Sequence, residues 1–298
     1  MTDKSHVILE DRGVLTVGGT DWHDFLQGLI SNDIAKVSSG QAIWAALLTP
    51  QGKYLHDFFV VEIDGVLHID CEADRLTDLG QRLSRYKLRA DVDLGIGEGL
   101  LVAALIGDGA SAAVGLPDDA GALVALDGGV AFVDPRLAAA GARAILPSGE
   151  AESILESLGF TKAAGADYDR ARLRLGLPDG SRDLVVEKSV LLESNFDCLN
   201  GVDWDKGCYV GQEVTARTHY RGLVKKRLLP VTIEGPSPAP GAPVTCDNKD
   251  AGEMRSATDG LGIALLRLDA VERVAAGEAE LTAGTTRLVP NRPDWATF

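Results

Sequence analysis

The Asp-Gly pair at residues 64 and 65, set between the apolar runs KYLHDFFVVEI (53–63) and VLHID (66–70), constrains the fold of this chain more than any other feature. Asp-Gly supplies the two left-handed residues of a tight hairpin, so the flanking runs pair antiparallel. Upstream, AIWAALLT (42–49) and a Pro-Gln-Gly turn add a further strand. Thr20-Asp21 offers an N-cap to an amphipathic helix in which Trp22, Phe25, Leu26, Leu29 and Ile30 recur at helical spacing, until Ser31-Asn32-Asp33 ends the pattern.

Further along, Leu76, Leu79, Leu83 and Tyr86 predict a second helix. Strand-like runs follow at 91–95 and 101–106, with more between 123 and 146, and helical stretches lie near 149–158 and 167–175. Helices interspersed with hairpins argue for an α+β fold over a doubly wound parallel sheet. Seven of the 12 prolines lie in residues 228–298, where EGPSPAPGAPV (234–244) introduces short runs punctuated by glycine. That change predicts an α+β body over 1–226 and a small all-β barrel or sandwich over 227–298.

Charge limits the partners. With 29 Lys plus Arg against 44 Asp plus Glu, the net charge of −15 excludes a generally basic nucleic-acid binder. No apolar run approaches the roughly 20 residues of a membrane span, and the start lacks a basic stretch followed by an apolar one, so a cytoplasmic chain with no membrane partner is expected. The charge is unevenly spread: KGCYVGQEVTARTHYRGLVKKR (206–227) carries +5 and the rest −20. Such an island suits an anionic ligand, because arginine clamps carboxylates bidentately. Equally, its cations suit a solvated face paired with neighbouring acids.

Familiar catalytic motifs are absent or malformed. The run LLVAALI (100–106) leads into Gly107-x-Gly109-x-x-Ala112, with Asp127 twenty residues after Gly107, but Gly115 and Pro117 leave less than two turns for a phosphate-facing helix. There is no G-x-S-x-G elbow and no H-x-x-x-H pair. Cys71, Cys198, Cys208 and Cys246 form no Cys-x-x-Cys unit, so neither a disulfide scaffold nor a one-chain zinc site is indicated. Cys208 stands apart, because it sits inside the basic island between glycines, and nearby cations favour the thiolate.

At these residues the chain resembles a known family. KGCYVGQEVTARTHYRG resembles the K-G-C-Y-x-G-Q-E signature of the YgfZ family of folate-binding proteins, relatives of the glycine-cleavage T-protein aminomethyltransferase. LLESNFDCLNGVDWD (191–205) and VKKRLLPV (224–231) resemble the branch containing the mitochondrial iron–sulfur assembly factor, and FLQGLISNDI (25–34) and LLTPQGKYLHDFFV (47–60) are similar to the family's N-terminal blocks. The resemblance implies ferredoxin-like lobes of T-protein type around a central channel, two of them interleaved in the body, plus the C-terminal β-barrel. It also implies tetrahydrofolate as cofactor, with a polyglutamate tail, and iron–sulfur carrier or client proteins as partners.

The resemblance assigns roles residue by residue. Cys208 takes the place of the motif cysteine on which activity depends, beside Lys206, and would be a shared or transient iron–sulfur ligand. Tyr209, Gln212 and Glu213 are its motif neighbours at the folate site, and Arg217 matches an arginine suited to the glutamate tail. Glu193 falls where a T-protein acid meets the pterin. T-proteins carry paired aspartates after the glycine turn, whereas this chain has His56-Asp57, and neighbouring strand residues face opposite sides, so Asp57 need not replace the missing acid. The implied function is folate-dependent assembly or repair of iron–sulfur clusters. The alternatives are an aminomethyl or one-carbon transferase and a non-catalytic adaptor. Iron–sulfur clusters usually want several cysteines, so a cluster held by Cys208 would be shared.

Overall fold

The computed structural model describes residues 4–222 and 224–298. They form two compact units, each assembled from separated stretches of chain. Unit 1 holds residues up to Leu48, Leu55–Tyr168 and Asn200–Val210, and unit 2 holds Thr49–Tyr54, Asp169–Leu199 and Gly211–Phe298.

The strands of unit 1 are β1 (Ser5–Ile8), β2 (Arg12–Gly18), β3 (Ile43–Leu48), β4 (Tyr54–Ile63), β5 (Val66–Glu72), β6 (Asp93–Ile96), β7 (Leu100–Ile106), β8 (Leu123–Leu126), β9 (Gly129–Val133), β10 (Ala142–Pro147) and β11 (Thr161–Lys162). They make two sheets, ordered β11-β1-β7-β10-β9-β8 and β3-β4-β5-β2-β6. The β4–β5 hairpin turns where Asp-Gly predicts it: Ile63 faces Val66, and Asp64 and Gly65 have φ of 51° and 79°.

The helices of unit 1 are α1 (Trp22–Gln27), α2 (Leu76–Lys87), α3 (Ala110–Ala113), α4 (Ala151–Ser157) and the first residues of α5 (Gly165–Leu175). On α2, Leu76, Leu79 and Leu83 are buried, but Tyr86 is 41% exposed, so the expected apolar stripe loses its last member. Helix α1 is shorter than its periodicity predicts. It stops at Gln27, and Leu29 and Ile30 are buried from the following turn, where Ile30 bridges to Leu47. The Asp21 carboxylate accepts the Asp91 amide at 2.8 Å in place of capping α1. After the Gly107 turn α3 has four residues, too few to present a phosphate site, in line with the argument against a dinucleotide fold.

The two sheets of unit 1 share a buried ion cluster. The Asp70 carboxylate on β5 accepts from Arg12 Nε on β2 at 2.6 Å and from Arg143 Nη2 and Nε on β10 at 2.6 and 2.9 Å. Burial pulls the Arg143 pKa down, yet Asp70 holds it above its ordinary value. The guanidinium of Arg143 lies 4.2 Å from the Phe59 ring centre, and that of Arg136, paired with Asp134, lies 5.0 Å from it.

In unit 2, β12 (Lys226–Glu234), β13 (Pro243–Cys246), β14 (Lys249–Thr258), β15 (Leu261–Arg267), β16 (Leu281–Ala283) and β17 (Thr286–Pro290) close a barrel in the order β12-β15-β14-β13-β16-β17. Leu229, Val231, Val244, Met254, Leu266 and Leu281 fill its core. The fold is thus α+β with an all-β barrel after the change in composition. The rest of unit 2 comprises the end of α5, α6 (Gly180–Asp183), a 3-10 turn (Leu192–Ser194) and α7 (Gln212–Tyr220), with α8 (Leu268–Ala275) following β15. Side chains tie it to the barrel: Asn195 Nδ2 donates to the Leu228 carbonyl at 2.7 Å, and Asp183 accepts the Ser256 hydroxyl at 2.6 Å while pairing with Arg172 at 2.7 Å.

Candidate functional site

The Cys208 motif begins in unit 1 and continues into unit 2 after Val210. Its first half is stitched to the C-terminal end of α1, where helix carbonyls lack intrahelical partners and a cation is favoured. Lys206 Nζ donates to the carbonyls of Gln27 and Ile30 at 2.8 and 2.6 Å, and the Val210 amide donates to Gly28 O at 3.0 Å. Burial lowers the Lys206 pKa to about 8, against the opposing pull of Asp33 and Asp203. Its ammonium also lies 5.1 Å from the ring centre of Tyr209, itself buried. Lys206 and Tyr209 therefore hold the loop, and Cys208 between them is exposed.

The other thiols are less available. Cys71 and Cys246 are buried and Cys198 is partly covered. Burial pushes the Cys71 pKa up to about 12, which leaves it protonated and inert. Among the described residues, no group of three or more His, Cys, Asp or Glu side chains is placed to hold a metal ion.

Asp57 lies on β4 in unit 1, 3% exposed, and its carboxylate accepts Trp44 Nε1 at 3.0 Å. His56 points to the opposite face, as strand alternation requires, and its Nε2 donates to Asp78 on α2 at 2.9 Å.

Unit 2 gathers the other candidates. Glu193 sits on the 3-10 turn, packed beside β12 and α7. Its carboxylate is half-buried and has no hydrogen-bond or ion-pair partner among the described residues. Burial raises its pKa, an effect moderated by the fields of Lys226, Lys53, Arg227 and Arg255. The Pro-Gln-Gly turn packs against the start of α7. Gly52 has φ of 73°, and a Cβ there would lie 2.7 Å from Gly211 O and 2.8 Å from Val214 Cβ, so only glycine fits. Gln212 opens α7, and the exposed Glu213 and Arg217 lie one turn apart, 3.9 Å between charged atoms.

The basic island proves not to be one cationic clamp. It runs through a loop, a helix and a strand, which send its side chains in different directions. Arg227 is buried in a fork with Asp197 at 2.6 and 2.9 Å, Lys226 lies 3.6 Å from Asp250, and Lys206 serves the carbonyls of Gln27 and Ile30. Among the described residues, Arg221 and Lys225 alone of the six make no such contact. The sequence reading missed Lys53 and Arg255 near Glu193. Lys53 follows the Pro-Gln-Gly turn directly and was open to notice, whereas Arg255 is brought close by the closure of the barrel.

Residues 225–298 match the family model described as the CAF17 C-terminal beta-barrel domain. The chain is 31% identical to the mitochondrial iron–sulfur cluster assembly factor IBA57 of Mus musculus, over 96% of this chain and 84% of the relative. It is 32% identical to the Homo sapiens protein of the same name, with the same coverage. In fold it is similar to the crystal structure of the glycine cleavage system aminomethyltransferase T from Bartonella henselae, with a TM-score of 0.76 and 16% identity over 96% of this chain and 84% of that one. The names of the two IBA57 relatives place them in mitochondria, which lends no support to a cytoplasmic location here. No helix among the described residues is long and apolar enough to cross a membrane.

Proposed function

This chain belongs to the IBA57 family of iron–sulfur cluster assembly factors, and on that premise we propose that it serves cluster assembly by presenting the Cys208 thiol to a carrier or client protein and by binding a reduced folate in unit 2. The observation that carries the reading is the exposure of Cys208 on a loop held by Lys206 and Val210, while Cys71 and Cys246 are buried. With no multi-ligand group among the described residues, the cluster is cargo whose remaining ligands come from the partner.

Folate fits unit 2 through Glu193. A pterin offers ring N–H and amino donors that call for a carboxylate acceptor, and Glu193 is half-buried and unpartnered. Of the cations whose fields reach Glu193, Lys226, Arg227 and Arg255 are already paired with Asp250, Asp197 and Glu253, and Lys53 has no acid partner among the described residues and would be the one to meet a ligand's carboxylate. Bound tetrahydrofolate would supply a carrier for one-carbon units. Aminomethyl transfer gains no argument from a fold likeness at 16% identity, and the buried Asp57 carboxylate already holds Trp44.

Two measurements test the halves of this reading separately. In cells depleted of the native protein, Cys208→Ala and Cys208→Ser are expected to accumulate normally and to fail to restore aconitase-type cluster enzymes; restoration by both overturns the thiol role. By calorimetry, the purified protein is expected to bind tetrahydrofolate, and Glu193→Ala to weaken that binding by roughly tenfold or more, the cost of losing a charge-assisted hydrogen bond. If the unmodified protein shows no folate binding, the folate half falls and an adaptor carrying one reactive thiol remains.

A further inference from the structure

The segment that carries Cys208 is loose by composition. Residues 207–210 belong to no helix or strand, and Gly207 and Gly211, with φ of 92° and 82°, stand on either side of the thiol. Glycine gives up more backbone freedom on ordering than any other residue, so a cysteine between two of them keeps one position only if side chains hold it there. The Lys206 ammonium is one such hold. A second is Gln27, the last residue of α1, which lies 179 positions earlier in the chain and in the same unit.

Both ends of the Gln27 amide are committed. Its Oε1 accepts the Ile34 amide at 3.0 Å, and its Nε2 donates to Asp33 Oδ1 at 2.8 Å and to the Lys206 carbonyl at 3.2 Å. The network fixes the orientation of the amide, because the flipped form would set Nε2 against the Ile34 N–H and an oxygen against the Asp33 carboxylate. In return, the backbone carbonyl of Gln27 accepts Lys206 Nζ at 2.8 Å. Each residue therefore grips the other's backbone with its own side chain. Asp33 is fixed in turn, since its Oδ1 also accepts the Ala35 amide at 3.0 Å and caps the 3-10 turn Ile34–Lys36. Through Gln27 the loose loop is tied to an ordered turn.

Similar residues fail here for distinct reasons. Glutamate lacks both donors and would bring a second carboxylate against Asp33, methionine matches the length without the amide, and asparagine is one methylene short. We propose that Gln27 is a positioning residue for the Cys208 thiol, acting through Lys206 to hold the loop so that the thiol meets its partner in one geometry. The inference rests on the thiol role of Cys208 set out above and deepens it. A cluster ligand shared with another chain must complete a coordination shell supplied from outside, and a loop ordered beforehand removes an entropy cost from that encounter. Without Gln27 the thiol stays exposed but is no longer held in place.

The test compares Gln27→Met with Ser31→Ala in the full chain. Ser31→Ala removes two buried hydrogen bonds nearby, to the Gly201 carbonyl at 2.6 Å and from the Ala46 amide at 2.8 Å, and it controls for a general loss of stability. In Gln27→Met, with the circular dichroism spectrum unchanged, the Val210 amide is expected to exchange about tenfold faster by NMR, the effect of one lost hydrogen bond on a local opening. A nitroxide on Cys208, in a Cys198→Ser background that leaves only the buried Cys71 and Cys246 besides it, should tumble faster. Cys208 should react with a small disulfide reagent at its usual rate, while restoration of aconitase-type enzymes falls at normal accumulation. Ser31→Ala should leave all four readings as they are. Unaltered Val210 exchange and nitroxide motion in Gln27→Met, or the same changes in Ser31→Ala, overturn the proposal. So does a changed thiol reaction rate, which would place Gln27 in the chemistry of the thiol itself, and so does full restoration by a chain whose loop is loosened. If Gln27→Met does not fold, Gln27→Asn takes its place. Exchange and nitroxide motion do not depend on what Cys208 does in cells, so restoration by both Cys208 variants, which ends the thiol role, is told apart from a loop that Gln27 does not order.

Discussion

Replacing Asp70 with alanine is expected to cost about 3–5 kcal/mol of folding stability, because it leaves buried guanidiniums without their counter-charge. Asp70 is fully buried and takes both Arg12 and Arg143 on its carboxylate oxygens, while its backbone carbonyl accepts Arg12 Nη2 at 2.8 Å. Neither arginine reaches water to recover what it loses, as Arg12 is 8% and Arg143 2% exposed. Against a total stability of roughly 5–15 kcal/mol, such a loss brings the chain close to unfolding. Urea denaturation of the variant measures it directly, and a loss below about 1 kcal/mol, the scale of an exposed pair, would show that the cluster is not a linchpin. The complementary triple change, Arg12→Met with Asp70→Leu and Arg143→Met, should recover most of the loss, since buried ion groups can often be replaced by packed apolar ones.

Acid should weaken the fold through His56. This imidazole is 1% exposed, and burial, aided by the Arg75 charge, lowers its pKa from 6.5 to about 4 despite its hydrogen bond to Asp78. The unfolded chain therefore takes up a proton near pH 6.5 that the folded chain refuses until about pH 4. More protons bound to the unfolded state in that window means stability that is full above pH 6.5 and declines as pH falls towards 4. At about 1.4 kcal/mol per pH unit, the loss approaches 3 kcal/mol at the lower end. His56→Gln should flatten the profile by that amount relative to the unmodified chain when denaturation is followed at pH 7 and pH 4. Parallel profiles for the two proteins would refute the assignment. Other lowered histidines, His6 and His68, act equally in both proteins and drop out of the comparison.

What could be read from sequence was local. The hairpin at Asp64-Gly65 and the apolar face of α2 are fixed by residues within a few positions of one another. So is the unused glycine motif at 107–112. The Asp70 cluster was not readable, because Arg12, Asp70 and Arg143 come from three different strands, and no periodicity in a single strand announces that a charged residue points inward to meet the others. The Cys208 motif was visible as a signature, but its geometry was not. The net charge of 206–227 suggested one basic surface, whereas the loop, α7 and β12 send Lys206, Arg217 and Arg227 to carbonyls, an exposed helix face and a buried aspartate. Glu193 was marked in sequence only by the resemblance, which sets it where a T-protein acid meets the pterin. Its value lies in having no partner, which only the packing of its turn against β12 and α7 reveals.

The division of the chain between its two units has a consequence for biosynthesis. The Thr49–Tyr54 turn belongs with residues that emerge only from Asp169 onward, so at roughly 5–20 residues per second it waits on the order of ten seconds on the ribosome for its companions. During that interval β3 and β4 can pair while the turn that joins them remains undocked. The barrel strands, translated last, complete a unit whose first piece was made near the beginning, and a pause or truncation late in synthesis would leave that early turn exposed to chaperones and proteases.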